Sequence, residues 1–136
     1  MSFYQRKEIK DLLAYFRLTI NPADNEALKR IINYPARGIG ATTLTKLENA
    51  AISNETSIWQ IIEKLNSDNQ AGLNKGTVTK VLNFGNIIKK FQAIAEEYDA
   101  FETSKQIAEK TGILVELHND KSPEGVSRFE NIQELL

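Results

Sequence analysis

The sequence predicts an all-α fold, and three observations lead there. Apolar residues recur at spacings of three and four along most of the chain. Side chains suited to helix capping stand just ahead of those runs. Strand-like character is confined to Ile113 through Leu117, and no repeat of domain-building length is visible. With 136 residues, 41% of them hydrophobic and 26% charged, one domain is expected, able to bury about two-thirds of its unfolded surface. The expected architecture is a compact multi-helix unit of about six to eight helices with a helix-hairpin-helix-like Gly-Ile-Gly turn.

In chain order, Ile9, Leu12, Leu13, Phe16 and Ile20 predict an amphipathic first helix, closed by Asn21-Pro22 because the residue before proline is pushed out of the helical region. Asp24 is the expected N-cap of a short second helix whose Leu28, Ile31 and Ile32 form one stripe before Asn33-Tyr34-Pro35 ends it. A third helix turns Leu44, Leu47 and Ala51 inward and stops near Ser53-Asn54. Ser57 and Gln60 read as a capping box for a fourth, with Trp59, Ile61, Ile62 and Leu65 as core. Residues 66 to 76 read as the longest connection. A long central helix from Lys75 to Tyr98 follows, carrying Val78, Val81, Leu82, Ile88, Phe91, Ala95 and Tyr98 inward. Gly85 on that stripe predicts a close approach by a neighbouring helix. Thr103 or Ser104 is expected to open the next helix, with Ile107 and Ala108 inside and Gly112 ending it. Ser122-Pro123 precedes a last helix bearing Val126, Phe129, Ile132 and Leu136. That helix meets no stop signal, so the polypeptide is expected to be a piece of something longer.

The composition excludes several functions. There is no cysteine, hence no disulfide, thiolate metal site or cysteine nucleophile. No apolar run approaches a membrane span and the first residues are too polar for a signal peptide, so a cytoplasmic protein without membrane contact is expected. The Gly72-Leu73-Asn74-Lys75-Gly76-Thr77 string places its lysine before the second glycine and reads as a polar helix start, not a phosphate-binding loop. His118, in Glu116-Leu117-His118-Asn119-Asp120, is expected in a solvated loop, and carboxylates such as Glu96 and Glu97 on a solvent face. No catalytic residue, cofactor site or metal site is nominated.

One segment carries a specific message: Pro35-Ala36-Arg37-Gly38-Ile39-Gly40-Ala41-Thr42-Thr43-Leu44. Two glycines around one aliphatic residue, between two helices, predict a tight turn in which Ile39 plugs the core and the glycines take positive φ. The following helix then begins with exposed amides. Phosphate can approach N–H groups that no Cβ shields, at the positive end of the helix dipole, with hydroxyls from Thr42 and Thr43 and charge from Arg37. Such contact predicts sequence-independent grip on a nucleic-acid backbone. A plain connecting turn is the alternative. Residues 1 to 48 carry eight basic and five acidic side chains, a local +3, and residues 49 to 136 nine and thirteen, a local −4. Arg6, Lys7, Lys10, Arg17, Lys29, Arg30, Arg37 and Lys46 lie in the basic half, although the net charge of −1 excludes an indiscriminate polyanion binder.

Phe3 through Leu18, Asn21-Pro22, Ala27 through Asn33 and Pro35 through Gly40 resemble the UvrD/Rep/PcrA group of superfamily 1 DNA helicases, and Gly125 through Leu136 resembles the segment that leads back into their motor. Residues 53 to 124 match loosely. The resemblance implies that residues 1–136 are the 2B subdomain, an α-helical insertion in the second RecA-like domain of an ATP-dependent 3′ to 5′ helicase. ATP and Mg would then belong to parts of the parent outside this chain, and the isolated piece would have no ATPase. It also implies partners, namely double-stranded DNA at a single-strand/duplex junction and the parent's motor domains. Carried over residue by residue, Arg37, Gly38, Ile39, Gly40, Thr42 and Thr43 fall at the duplex backbone, and Arg6, Lys10, Arg17 and Lys46 at DNA or at an interdomain contact. The chain departs from the family pattern at Ala41 and Thr42, where relatives often carry an acidic and then a basic residue, and at Gln5, where they frequently carry Glu. A helical protein-docking or autoinhibitory module of the same parent, with no direct DNA role, is the other function left open.

Overall fold

The computed structural model describes residues 7–113. Among them six helices follow one another with no strand: α1 Lys7–Ile20, α2 Asn25–Ile31, α3 Ala41–Ser53, α4 Ile58–Glu63, α5 Lys75–Glu97 and α6 Ala100–Lys110. The all-α expectation is met. Arg6, His118, most of the 113–117 stretch and the helix expected after Pro123 lie outside the described residues.

The helix starts show why the chain breaks where it does. Asp24, Ser57 and Asn74 accept from the backbone N–H groups of Ala27, Gln60 and Thr77, each satisfying an amide that the first turn leaves without a partner. The sequence marked Asp24 and Ser57; at Asn74 it marked only the polar start of the helix that follows. α6 instead begins at Asp99, whose carboxylate accepts from Glu102 N. Against the first helical residue, Ala100, the expected start at Thr103 or Ser104 is three to four residues late; Thr103 is buried inside the helix. Gly112 adopts φ +79 after α6, as expected of a residue ending a helix.

α1 packs on α2, α5 and α6, α5 on α1, α4 and α6, and α4 on α2, α3 and α5. The helices α1, α2, α4 and α5 thus form a closed ring, with α6 against α1 and α5 and α3 resting on α4. Tyr15, Leu18, Leu28, Ile31, Ile58, Ile61, Phe84, Ile88 and Phe91 fill the interior, and Tyr15 meets Phe91 edge to face at 6.2 Å. Three neighbours bury a wide arc of α1, so Ala14, Tyr15, Leu18 and Thr19 are inside. Leu13 and Ile20, expected to be core, are 38% and 60% exposed. Tyr98, also expected inside, is exposed at the end of α5. Gly85 faces α4 as its position predicts: a methyl group there would lie 3.3 Å from Ile62 Cγ2.

α1 and α2 are joined by a buried acid. Asp11 is almost fully enclosed and bonds Lys7 Nζ at 2.6 Å and Arg30 Nε at 2.7 Å. Both cations reach solvent, so removing the acid strands no buried charge. Asp11→Ala is expected to cost about 2 kcal/mol, the range of hydrogen bonds to charged groups, read as a lower urea midpoint with unchanged m.

Candidate nucleic-acid interface

The turn between α2 and α3 is built by its own side chains. Asn33 Oδ1 accepts from Arg37 N at 2.7 Å and Ile39 N at 3.1 Å, drawing both backbones over the end of α2. Gly38 adopts φ +75, a conformation that side-chain-bearing residues rarely take. Gly40 has φ −89 and ψ −178, so only one of the two glycines takes the positive φ expected of both. The reason is position: Gly40 is the N-cap of α3, where extended backbone is the norm. Ile39 between them is 2% exposed and plugs the core as expected.

Because Gly40 has no side chain, α3 begins without a side-chain cap. Asn33 takes the amide of Ile39, and the amide of Leu44 bonds Gly40 O at 3.1 Å. The amides of Gly38, Gly40, Ala41, Thr42 and Thr43 have no hydrogen-bond acceptor among the described residues. Gly38, Gly40 and Thr42 are exposed and Thr43 is half-buried. A Cβ added to Gly40 would meet nothing within 4 Å, so the space beside Gly40 is open. This arrangement is able to bind an anionic oxygen through several backbone N–H groups at the positive end of the α3 dipole.

Arg37 is placed differently from the other turn residues. Its guanidinium donates to Ile31 O at 2.8 Å, to Ile32 O at 3.0 Å and to the hydroxyl of Tyr15. It also lies 5.2 Å from the Phe84 ring centre and 5.8 Å from that of Tyr15. Its charge compensates the carbonyl end of α2 and is directed at the core, not across the turn. The sequence singled out Arg37 because it adjoins the glycines; the residue it did not single out is Asn33, whose signal, an Asx side chain just after a helix, is common to many plain turns.

The remaining basic residues divide. Lys10, Arg17 and Arg30 line an open pocket of about 280 Å³ with Leu13. Arg17 stands 3.8 Å from Asp24, and Lys46 is exposed on α3. Lys29 bonds Glu48 at 3.0 Å, fastening α2 to α3, and holds its proton more tightly than an ordinary lysine, first through that hydrogen bond. Lys7 is occupied by Asp11 and by the Tyr34 ring, 3.9 Å below it. Among the described residues no group of acidic or histidine side chains is arranged to hold a metal, and no helix is long and apolar enough to cross a membrane.

Residues 1–136 match the UvrD-like helicase C-terminal domain throughout, and the chain belongs to that family. Among its relatives, the ATP-dependent DNA helicase PcrA of Bacillus subtilis is 37% identical over 134 residues, and that of Staphylococcus aureus 36% over 134. DNA helicase II of Haemophilus influenzae is 34% identical over 136 residues. These alignments cover 98%, 98% and 100% of this chain but only 18% of each relative, so the chain spans less than a fifth of their length.

Proposed function

We propose that this chain is the 2B-type insertion subdomain of an ATP-dependent 3′ to 5′ DNA helicase, and that its Gly38–Thr43 turn holds the phosphate backbone of the duplex beside a single-strand/duplex junction. The observation that carries the reading is the row of amides at Gly38, Gly40, Ala41, Thr42 and Thr43 without an acceptor among the described residues, with open space beside Gly40. Phosphate oxygens are the natural acceptors for such a row, and amides do not distinguish bases, so the grip is independent of sequence. The relatives' names, DNA helicases all, supply the kind of polyanion.

In this proposal Arg37 acts from behind the turn: it ties the end of α2 to Tyr15 and Phe84 and so fixes where the amides point. Ile39 and Asn33 do the same from inside the turn. A net charge of −1 makes the isolated chain a weak binder. Beside a motor already holding DNA, a weak site is engaged through its effective concentration, and weakness lets it release as the duplex advances. ATP hydrolysis and its Mg belong to the rest of the parent, and this piece regulates unwinding through contact alone.

A second reading follows from α1. Lys10, Leu13, Arg17 and Ile20 share its exposed face, mixing two cations with two uncovered aliphatic side chains. That mixture suits a protein surface better than a phosphate backbone, and it favours a docking face for the parent's motor domains. The two readings are compatible, because the faces differ.

The test is a titration of the ¹⁵N-labelled chain with a short DNA duplex at low and moderate salt. Amide shifts centred on Gly38 through Leu44 that shrink as salt rises are expected. A turn that stays silent at millimolar duplex would overturn the DNA reading and leave the protein-docking one.

A further inference from the structure

Assigning Arg37 to the core leaves the turn without its adjacent cation, and a different one stands there. Lys80 on α5 lays its side chain along Gly38: a methyl group in the Cβ position of Gly38 would lie 3.5 Å from Lys80 Cδ, 3.4 Å from Cε and 3.1 Å from Nζ. Three successive atoms of the lysine therefore run past the glycine, in the space that the missing side chain leaves. Lys80 precedes Phe84 by one helical turn on the same face of α5. Phe84 is buried beneath the Arg37 guanidinium, and one turn nearer the start of the helix Lys80 comes out beside the turn that Arg37 holds. Lys80 is exposed, and among the described residues no carboxylate pairs with it.

We propose that Lys80 is the phosphate-neutralising cation of the Gly38–Gly40 turn, its ammonium contacting the phosphodiester backbone of duplex DNA from α5. The inference rests on the duplex reading above and adds to it a residue 42 positions away in sequence, on a different helix. It also gives Gly38 a second reason to be glycine: besides its positive φ, any side chain there would displace the lysine. An ammonium on a flexible stem suits this role, since it can follow a phosphate while the backbone amides stay fixed. Because it is a point charge, its contribution to binding is sequence-independent and falls with salt.

The test compares the full 136-residue chain with Lys80→Gln, Lys80→Arg and Lys89→Gln, each titrated with a short duplex at several salt concentrations. Lys89 is half-way round α5 from Lys80 and lines a separate pocket with Trp59, Ile62 and Glu63. Lys80→Gln is expected to weaken binding about fivefold at low salt and to reduce the slope of log K against log salt by about 1, with an unchanged melting temperature. Lys80→Arg is expected to restore most of both, and Lys89→Gln to change neither. If the unsubstituted chain and Lys80→Gln bind with equal affinity and equal slope while shifts still centre on the turn, this inference is wrong and the duplex reading stands. If Lys80→Gln weakens binding without altering the slope and Lys80→Arg gives no rescue, Lys80 shapes the turn and is no phosphate ligand. Absence of turn-centred shifts in the unsubstituted chain would overturn both.

Discussion

Arg37→Ala is expected to cost the chain about 3 kcal/mol of stability, an effect set by hydrogen bonds to a charged group and by the polar atoms left behind. The guanidinium serves two carbonyls at the end of α2, the Tyr15 hydroxyl and two aromatic faces. Alanine leaves Ile31 O with only the Tyr34 amide at 3.1 Å and takes from Ile32 O its one donor among the described residues. Arg37→Lys keeps the charge but not the planar fork, so it is expected to recover less than half of the loss. Urea denaturation of the three chains measures this directly. Loss of duplex binding with a stability change below about 0.5 kcal/mol would instead make Arg37 a phosphate ligand, as its place beside the glycines first suggests.

Gly40→Asp is expected to move stability and binding in opposite directions. Gly40 already has the extended backbone of an N-cap, and nothing stands where its Cβ would be built. An aspartate there can accept from the amide of Thr42 or Thr43 and complement the helix dipole, raising stability by about 0.5 kcal/mol. The same carboxylate consumes a donor and repels phosphate. One unit charge beside another at a protein surface is worth about 1 to 4 kcal/mol, so duplex affinity is expected to fall at least about tenfold. Gly40→Ser, which caps without charge, is expected to fall between the two. A variant that melts higher yet binds duplex as before would show that the α3 amides are not the contact. A stabilising glycine replacement that abolishes a function is hard to explain by misfolding, which makes this pair the sharper test of the site.

The parts of the fold legible in the sequence were those fixed by local chemistry. The apolar period from Lys75 to Tyr98 places both ends of α5 to within a residue, and Asp24 and Ser57 mark their helices, because a cap acts on amides two or three residues away. Periodicity was weaker at saying which face is inner. In α1 it favoured Leu13 and Ile20, whereas three packing partners set the buried arc around Tyr15 and Leu18, and no local pattern records where partners lie. The α6 start is capped by Asp99, directly after Tyr98, whereas the hydroxyls of Thr103 and Ser104 offer a second capping signal that the fold does not use. At the candidate site the glycines, Ile39 and the two threonines were visible as a motif. The direction of Arg37, the double acceptance by Asn33 and the arrival of Lys80 were not, since each depends on which atoms the tertiary fold brings together.

The fastening of Arg37 to α1 and α5 has a mechanical consequence. A pull on the α2–α3 turn is passed through Arg37 to Tyr15 and Phe84, residues of two helices that each pack on three others, as well as to the covalent chain on either side. The load is spread over the interior as shear between packed helices. The short α2 helix is thereby protected from unwinding one turn at a time from its end. A loop tethered only by its flanking residues would yield first where it is pulled; this one is tied to the buried interior, so traction applied at the turn is delivered to the body as a whole.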